Sequence, residues 1–141
     1  MPDLKGTKTH QNLKTAFAAD AQLNDALRYF ARIAEIEGYA EVAGLLKGFA
    51  ESGLQFAHGH LDFLKTAGEP LTDRPMGATE HNVAAVVAAQ TVDANEELPN
   101  MALTAHAEGF PDIANWFETL ARAKSERVAR LTAAASEEVE G

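Results

Sequence analysis

Apolar residues recur every three or four positions along most of this chain, and the rhythm is broken in three places. Leu13, Phe17, Ala21, Leu27, Phe30, Ala31 and Ala34 keep helical spacing. They predict a first helix that starts near Thr9 or Asn12 and ends at Glu37-Gly38-Tyr39, where Gly38 suits the left-handed position that closes a helix. A second helix is predicted from about Ala40 to Thr66. Its inward face reads Val42, Leu45, Leu46, Phe49, Gly53, Phe56, His60, Phe63 and Leu64. A connection this short makes the two helices an antiparallel hairpin. Ala67 to Ala78 carries Gly68, Pro70, Asp73, Pro75 and Gly77 and reads as a loop. Thr79 is a good N-cap for a third helix running to about Ala107. Pro99 falls inside it, removes a backbone hydrogen bond and predicts a kink. After Glu108-Gly109-Phe110, a fourth helix is predicted from Pro111 to about Ala135, followed by an acidic, frayed tail from Ser136 to Gly141.

The two halves repeat each other. Asn12 matches Asn82, Phe17 matches Val87 and Asp20 matches Gln90, all seventy positions apart. After Pro99 the offset is seventy-one: Glu37-Gly38-Tyr39 matches Glu108-Gly109-Phe110, Gly53 matches Lys124 and Phe56 matches Arg127. Two hairpins joined by a long loop predict an all-α four-helix bundle with a crossover connection, forming one domain over residues 1–141.

Charge and composition narrow the function. A net charge of −9 argues against nucleic acid and against an anionic membrane surface as partners. The absence of Cys removes disulfides, iron–sulfur clusters and thiol chemistry. The first residues lack the apolar core of a signal peptide, and there is no apolar run long enough to span a membrane. A cytoplasmic protein is the expectation.

Several segments carry a resemblance to a known family. They are Leu4-Lys-Gly-Thr-Lys-Thr-His10 with Asn12-Leu13-Lys14, then Ala57-His-Gly-His-Leu-Asp-Phe-Leu64. Glu108-Gly-Phe110 and Ala114-Asn-Trp-Phe-Glu-Thr-Leu-Ala-Arg-Ala123 complete the set. Through them nearly the whole chain resembles the rubrerythrins of the ferritin-like superfamily. The resemblance implies a four-helix bundle, often dimeric, with a di-iron carboxylate site and peroxide-reducing or related oxidoreductase chemistry. Such a site takes a Glu from each of two helices and a Glu-x-x-His pair from each of the other two. Carried across, the first-helix Glu falls at Asp20 and the first Glu-x-x-His at Gly53 and Phe56. The third-helix Glu falls at Gln90, an additional carboxylate at Asp93, and the last Glu-x-x-His at Lys124 and Arg127.

None of these ligands is kept in identity. Asp20 and Asp93 retain a carboxylate, while Lys124 and Arg127 bring positive charge. The expectation is a metal-free polar core in which Phe56 fills vacated volume and Asp20–Lys124 or Asp93–Arg127 pairs form. That makes a structural or interaction protein, expected as a homodimer and open to another protein partner. One alternative is an oxidoreductase with iron or manganese held in a rebuilt site by Asp20, Asp93 and Glu96. Another is a module that binds a small anion through Lys124 and Arg127. His58 and His60 lie two apart on a helix, point apart, and read as structural. His10, His81 and His106 read as capping or solvated groups. Trp116, Phe117, Phe63 and Phe30 read as core, and Tyr39 and Phe110 as packing at the hairpin ends.

Overall fold

The computed structural model describes residues 2–138, and every regular element among them is helical. These are α1 (Lys8–Ile36), α2 (Ala40–Leu64), α3 (Thr79–Val92), a π-helical turn (Asp93–Glu97), α4 (Leu98–Ala107) and α5 (Pro111–Glu138). They fall into two compact units, Met1–Pro70 and Leu71–Gly141. The predicted frayed tail starts too early: Ser136 to Glu138 continue α5, and its last three residues lie outside the described chain.

In the first unit α1 and α2 meet along a seam with a seven-residue repeat. His10, Asn24, Ala31 and Ala34 are buried on α1, with Leu13, Phe17, Asp20 and Leu27 half-buried between them. On α2 the buried positions are Ala43, Ala50, Gly53, Ala57 and Leu64, with Leu46 and His60 half-buried. A period of 3.5 keeps one stripe of each helix facing the other, and small side chains in that stripe let the axes approach. Most of the fully buried seam positions are thus alanine, and Leu64 is the one large, fully buried side chain among them.

Of the predicted inward face of α2, Leu46, Gly53, His60 and Leu64 lie on this seam, whereas Val42, Leu45, Phe49, Phe56 and Phe63 are exposed on the hairpin. Phe30 is 50% exposed, Phe63 70% and Trp116 59%. Tyr39 and Phe110 are also more than half exposed and do not pack the hairpin ends. Of the predicted core aromatics, Phe117 alone packs as expected, against buried Ala102, Ala105 and Ala114.

Both hairpin turns are built in the same way. At the end of α1 the Gly38 N–H donates to Glu35 O (3.1 Å) and the Tyr39 N–H to Ala34 O (2.8 Å). At the end of α4 the Gly109 N–H donates to His106 O (3.2 Å) and the Phe110 N–H to Ala105 O (2.8 Å). This is the Schellman pattern, and both glycines hold φ at 88°. The next helix begins at once, with the Ala43 N–H on Tyr39 O and the Ala114 N–H on Phe110 O.

Two helix starts differ from their predictions. Thr7 caps α1, its hydroxyl oxygen accepting from the His10 N–H at 3.0 Å, so the helix begins earlier than Thr9. Thr79 is the first residue of α3 and gives no cap. Asn82 clasps the entering chain instead, its Oδ1 accepting from the Gly77 N–H (2.7 Å) and its Nδ2 donating to Gly77 O (3.3 Å).

The π turn explains the change of repeat offset. The Leu98 N–H donates to Asp93 O, five residues back, so the turn absorbs one residue that the first half lacks. Pro99 then stands in the first turn of α4, where a missing N–H costs least. The predicted third helix is therefore two helices joined by a widened turn.

Candidate functional site

The polar positions fall into two sets, one per hairpin. In the first, Asp20 on α1 meets His60 on α2, with Oδ2 to Nε2 at 2.8 Å, and both side chains are partly sheltered. One turn further along α1, the buried Asn24 lies over Gly53. A Cβ placed at Gly53 would stand 1.9 Å from Asn24 Oδ1 and 2.9 Å from its Cγ. Asn24 thus occupies the space that any larger residue at 53 would need. Phe56, one turn below Gly53 on α2, is 59% exposed on this hairpin.

In the second hairpin, the Lys124 ammonium on α5 donates to Asp93 Oδ2 at 2.6 Å. Asp93 sits at the start of the π turn, and both side chains are about a quarter to a third exposed. The Lys124 hydrogen bond holds the Asp93 carboxyl below its ordinary 3.8, against the opposing effect of partial burial, with the Lys124 charge adding to the lowering. Gln90, on α3, has its Oε1 buried without a hydrogen-bond partner, an arrangement that costs about 1–3 kcal/mol. Arg127 is exposed. With Gln90 it lines a cleft of about 390 Å³ between α3 and α5, completed by Val86, Val128, Arg130 and Leu131.

Within the hairpins Asp20 pairs with His60 and Asp93 with Lys124, so the expected Asp93–Arg127 pair is replaced by Asp93–Lys124. The reason is local. A residue on one helix of an antiparallel pair meets the residue facing it on the other, and His60 and Lys124 occupy those facing seam positions. His60, read from sequence as merely structural, is the partner of Asp20. Asn24 was missed altogether, although a polar residue on the seam stripe facing a glycine was a usable signal. The buried His10 does act at a helix start: its Nδ1 accepts from the Gly6 N–H at 3.1 Å. His106 lies 3.4 Å from Glu118. Among the described residues no group of three or more His, Asp or Glu side chains is placed to hold a metal ion.

Two successive helical hairpins with short Schellman turns and polar residues spaced along their seams define a protein of the all-α, ferritin-like class. Comparison with known proteins narrows the class. The chain is 32% identical to the rubrerythrin of Porphyromonas gingivalis over 136 residues, which cover 92% of this chain and 67% of that protein. It is 31% identical to the rubrerythrin of Clostridium perfringens over 155 aligned positions, covering 100% of this chain and 76% of the relative. Rubrerythrin-1 of Clostridium acetobutylicum is 29% identical, with 94% and 72% covered. No family model matches the chain. On these relatives the chain belongs to the rubrerythrin family. Among the described residues no helix is long and apolar enough to cross a membrane.

Proposed function

We propose that this rubrerythrin-family chain works without a di-iron centre, as a metal-free helical protein of the cytoplasm that pairs with a second copy of itself. The observation that carries the reading is the Lys124 ammonium hydrogen-bonded to Asp93. A metal ion at this position would have to displace a cation already seated on the carboxylate it needs. Three further features support it. Asp20 is engaged by His60. Gly53 offers no side chain, and Asn24 fills its place. Arg127 stands where the resemblance calls for an imidazole. The residues present do not fit two iron ions, which require several free carboxylates and imidazoles, and no chemical step is derived through iron.

Pairing is supported by the large apolar side chains exposed on the chain. Phe49, Phe56 and Phe63 follow one another at seven-residue intervals on α2, each more than half exposed. Exposed apolar surface on this scale marks an interaction face.

Elemental analysis of protein expressed in iron- and manganese-supplemented medium tests the metal-free reading, and light scattering on the same sample tests the dimer. No stoichiometric metal and a dimeric mass are expected. Two metals per chain would overturn the reading and restore a peroxide-reducing oxidoreductase. One metal per chain would indicate a rebuilt site around Asp20, Asp93 and Glu96. A monomeric mass would remove the pairing.

A further inference from the structure

The start of α1 is held by a clasp built on His10. Thr7 caps the helix, its hydroxyl oxygen accepting from the His10 N–H at 3.0 Å and its hydroxyl donating to Leu4 O at 2.6 Å. The His10 side chain reaches back, and its Nδ1 accepts from the Gly6 N–H at 3.1 Å. This is the layout of a capping box, in which the returning group is ordinarily Glu or Gln. Gly6 holds φ at 81° where the leading segment turns into the helix. Residues 2–5 of that segment line a cleft of about 960 Å³ together with Leu13 of α1 and Asp62 and Phe63 of α2.

A neutral imidazole donates through one nitrogen and accepts through the other. Nδ1 accepts from Gly6, so the proton sits on Nε2, which is buried and has no hydrogen-bond partner among the described residues. A second proton has only Nδ1 to go to, where it would point at the Gly6 N–H and remove the acceptor. The cation so formed would be 8% exposed and would stand in the first turn of a helix, whose free amides carry partial positive charge. The charged groups on the elements that meet here are Asp3 and Lys5 on the leading segment, Lys8 and Lys14 on α1, and Asp62 and Lys65 at the end of α2, followed by Glu69. Asp62 and Lys65 pair with each other at 3.5 Å, and no carboxylate of this set accepts from Nε2.

We propose that His10 makes the leading segment an acid-released strap: residues 2–6 are held while the imidazole is neutral and let go when it is protonated. Release takes away the part of the cleft that residues 2–5 supply and leaves Leu13 and Phe63 open at this end of the hairpin. The direction follows from proton linkage. The open strap takes up a proton at about pH 6.5, the ordinary value of a solvated imidazole, and the clasp does not while its bond stands. The clasp is therefore complete above that value and is lost as pH falls through it. The strap depends on neither the metal content nor the pairing of the chain, so either reading can fail without the other.

The test follows amide and imidazole resonances of the full chain from pH 7.5 to about pH 5.5. The ratio of open to clasped strap is expected to rise about tenfold over this range. Amides of residues 3–7 should move towards unstructured positions along the same curve as the His10 ring. In His10→Gln a neutral acceptor that does not titrate replaces the imidazole, so the strap should stay held throughout. His10→Ala has no acceptor and should leave it open throughout. Unchanged amides beyond Lys14 verify that each protein is folded. Should His10→Gln not close the clasp, the likeness of the native chain in acid to His10→Ala decides. A Gly6 amide that stays in place while the His10 ring titrates would overturn the proposal. So would a ring that takes up no proton in this range, a clasp that survives His10→Ala, or a pH response of residues 3–7 that persists in a clasped His10→Gln and so belongs to another group.

Discussion

The two hairpins share a turn, a seam and a repeated sequence pattern, yet they solve the same positions in opposite ways. In the first, Asn24 of the leading helix is the large partner and Gly53 of the returning helix the small one. The matching residues of the second are Ala94, buried in the leading helix, and Lys124 in the returning helix. Size has changed sides. The polar pairs near the turns are reversed as well: the acidic Glu35 of α1 faces Lys47 in the first hairpin, and the acidic Glu118 of α5 faces His106 in the second. A paired helix seam therefore constrains the sum of two side chains more tightly than either one. A site made of seam residues can be rebuilt by exchange across the pair while the backbone plan stays.

The sharpest way to break this comparison is at Gly53. Crowding a filled seam with a methyl group costs about 1–3 kcal/mol, and the better helix propensity of alanine offsets about 1 kcal/mol. Gly53→Ala is expected to lower the urea midpoint in the native background and to raise it once Asn24→Ala has made room. A stabilising Gly53→Ala in the native background would sink the size exchange. The turns should show likeness where the seams show contrast. Gly38→Ala and Gly109→Ala each force a Cβ into φ 88° and should cost about 1 kcal/mol apiece, equal within experimental error by urea denaturation. A clear inequality would mean that the turns are alike in geometry only.

The smallest effect is at Lys124. The pair with Asp93 is partly exposed, so Lys124→Met is expected to lose about 0.5 kcal/mol at neutral pH. The sign with pH follows from the lowered folded-state pKa of Asp93. The pair's contribution is full above the unfolded carboxyl value near 3.8 and is lost as pH falls through the lower folded value. Native and variant midpoints should therefore converge in strong acid. A gap that persists there would assign the loss to packing of the lysine stem.

Much of this architecture is legible in the residues. Gly38 and Gly109 mark both turns, because a glycine at the end of a helical run readily takes the left-handed position that side chains disfavour. The shift in repeat offset announces one extra residue, but periodicity does not say that it lies at Asp93–Glu97; the neighbouring proline is the louder signal. The seam is hard to read for a different reason. Ranking by hydrophobicity favours Phe49, Phe56 and Phe63, whereas closely approaching helices select for smallness, which Ala43, Ala50 and Ala57 supply. Matching opposite charges alone misassigns Asp93 to Arg127, since helix register decides that Lys124 faces it. Counting outward from Gly38 sets Asn24 opposite Gly53 at nearly equal distances.

A turn closed by two nested backbone bonds over six residues is also a place where a chain can begin to fold. Helix pairs joined in this way bring together residues close in sequence, and contacts of that kind form rapidly because little loop entropy is spent. With one such turn in each half, the molecule carries two independent starting points. Refolding after a jump out of denaturant should then show an early, fast gain of helix from both halves. A lesion at Gly109 should slow the half it belongs to and leave the other on schedule.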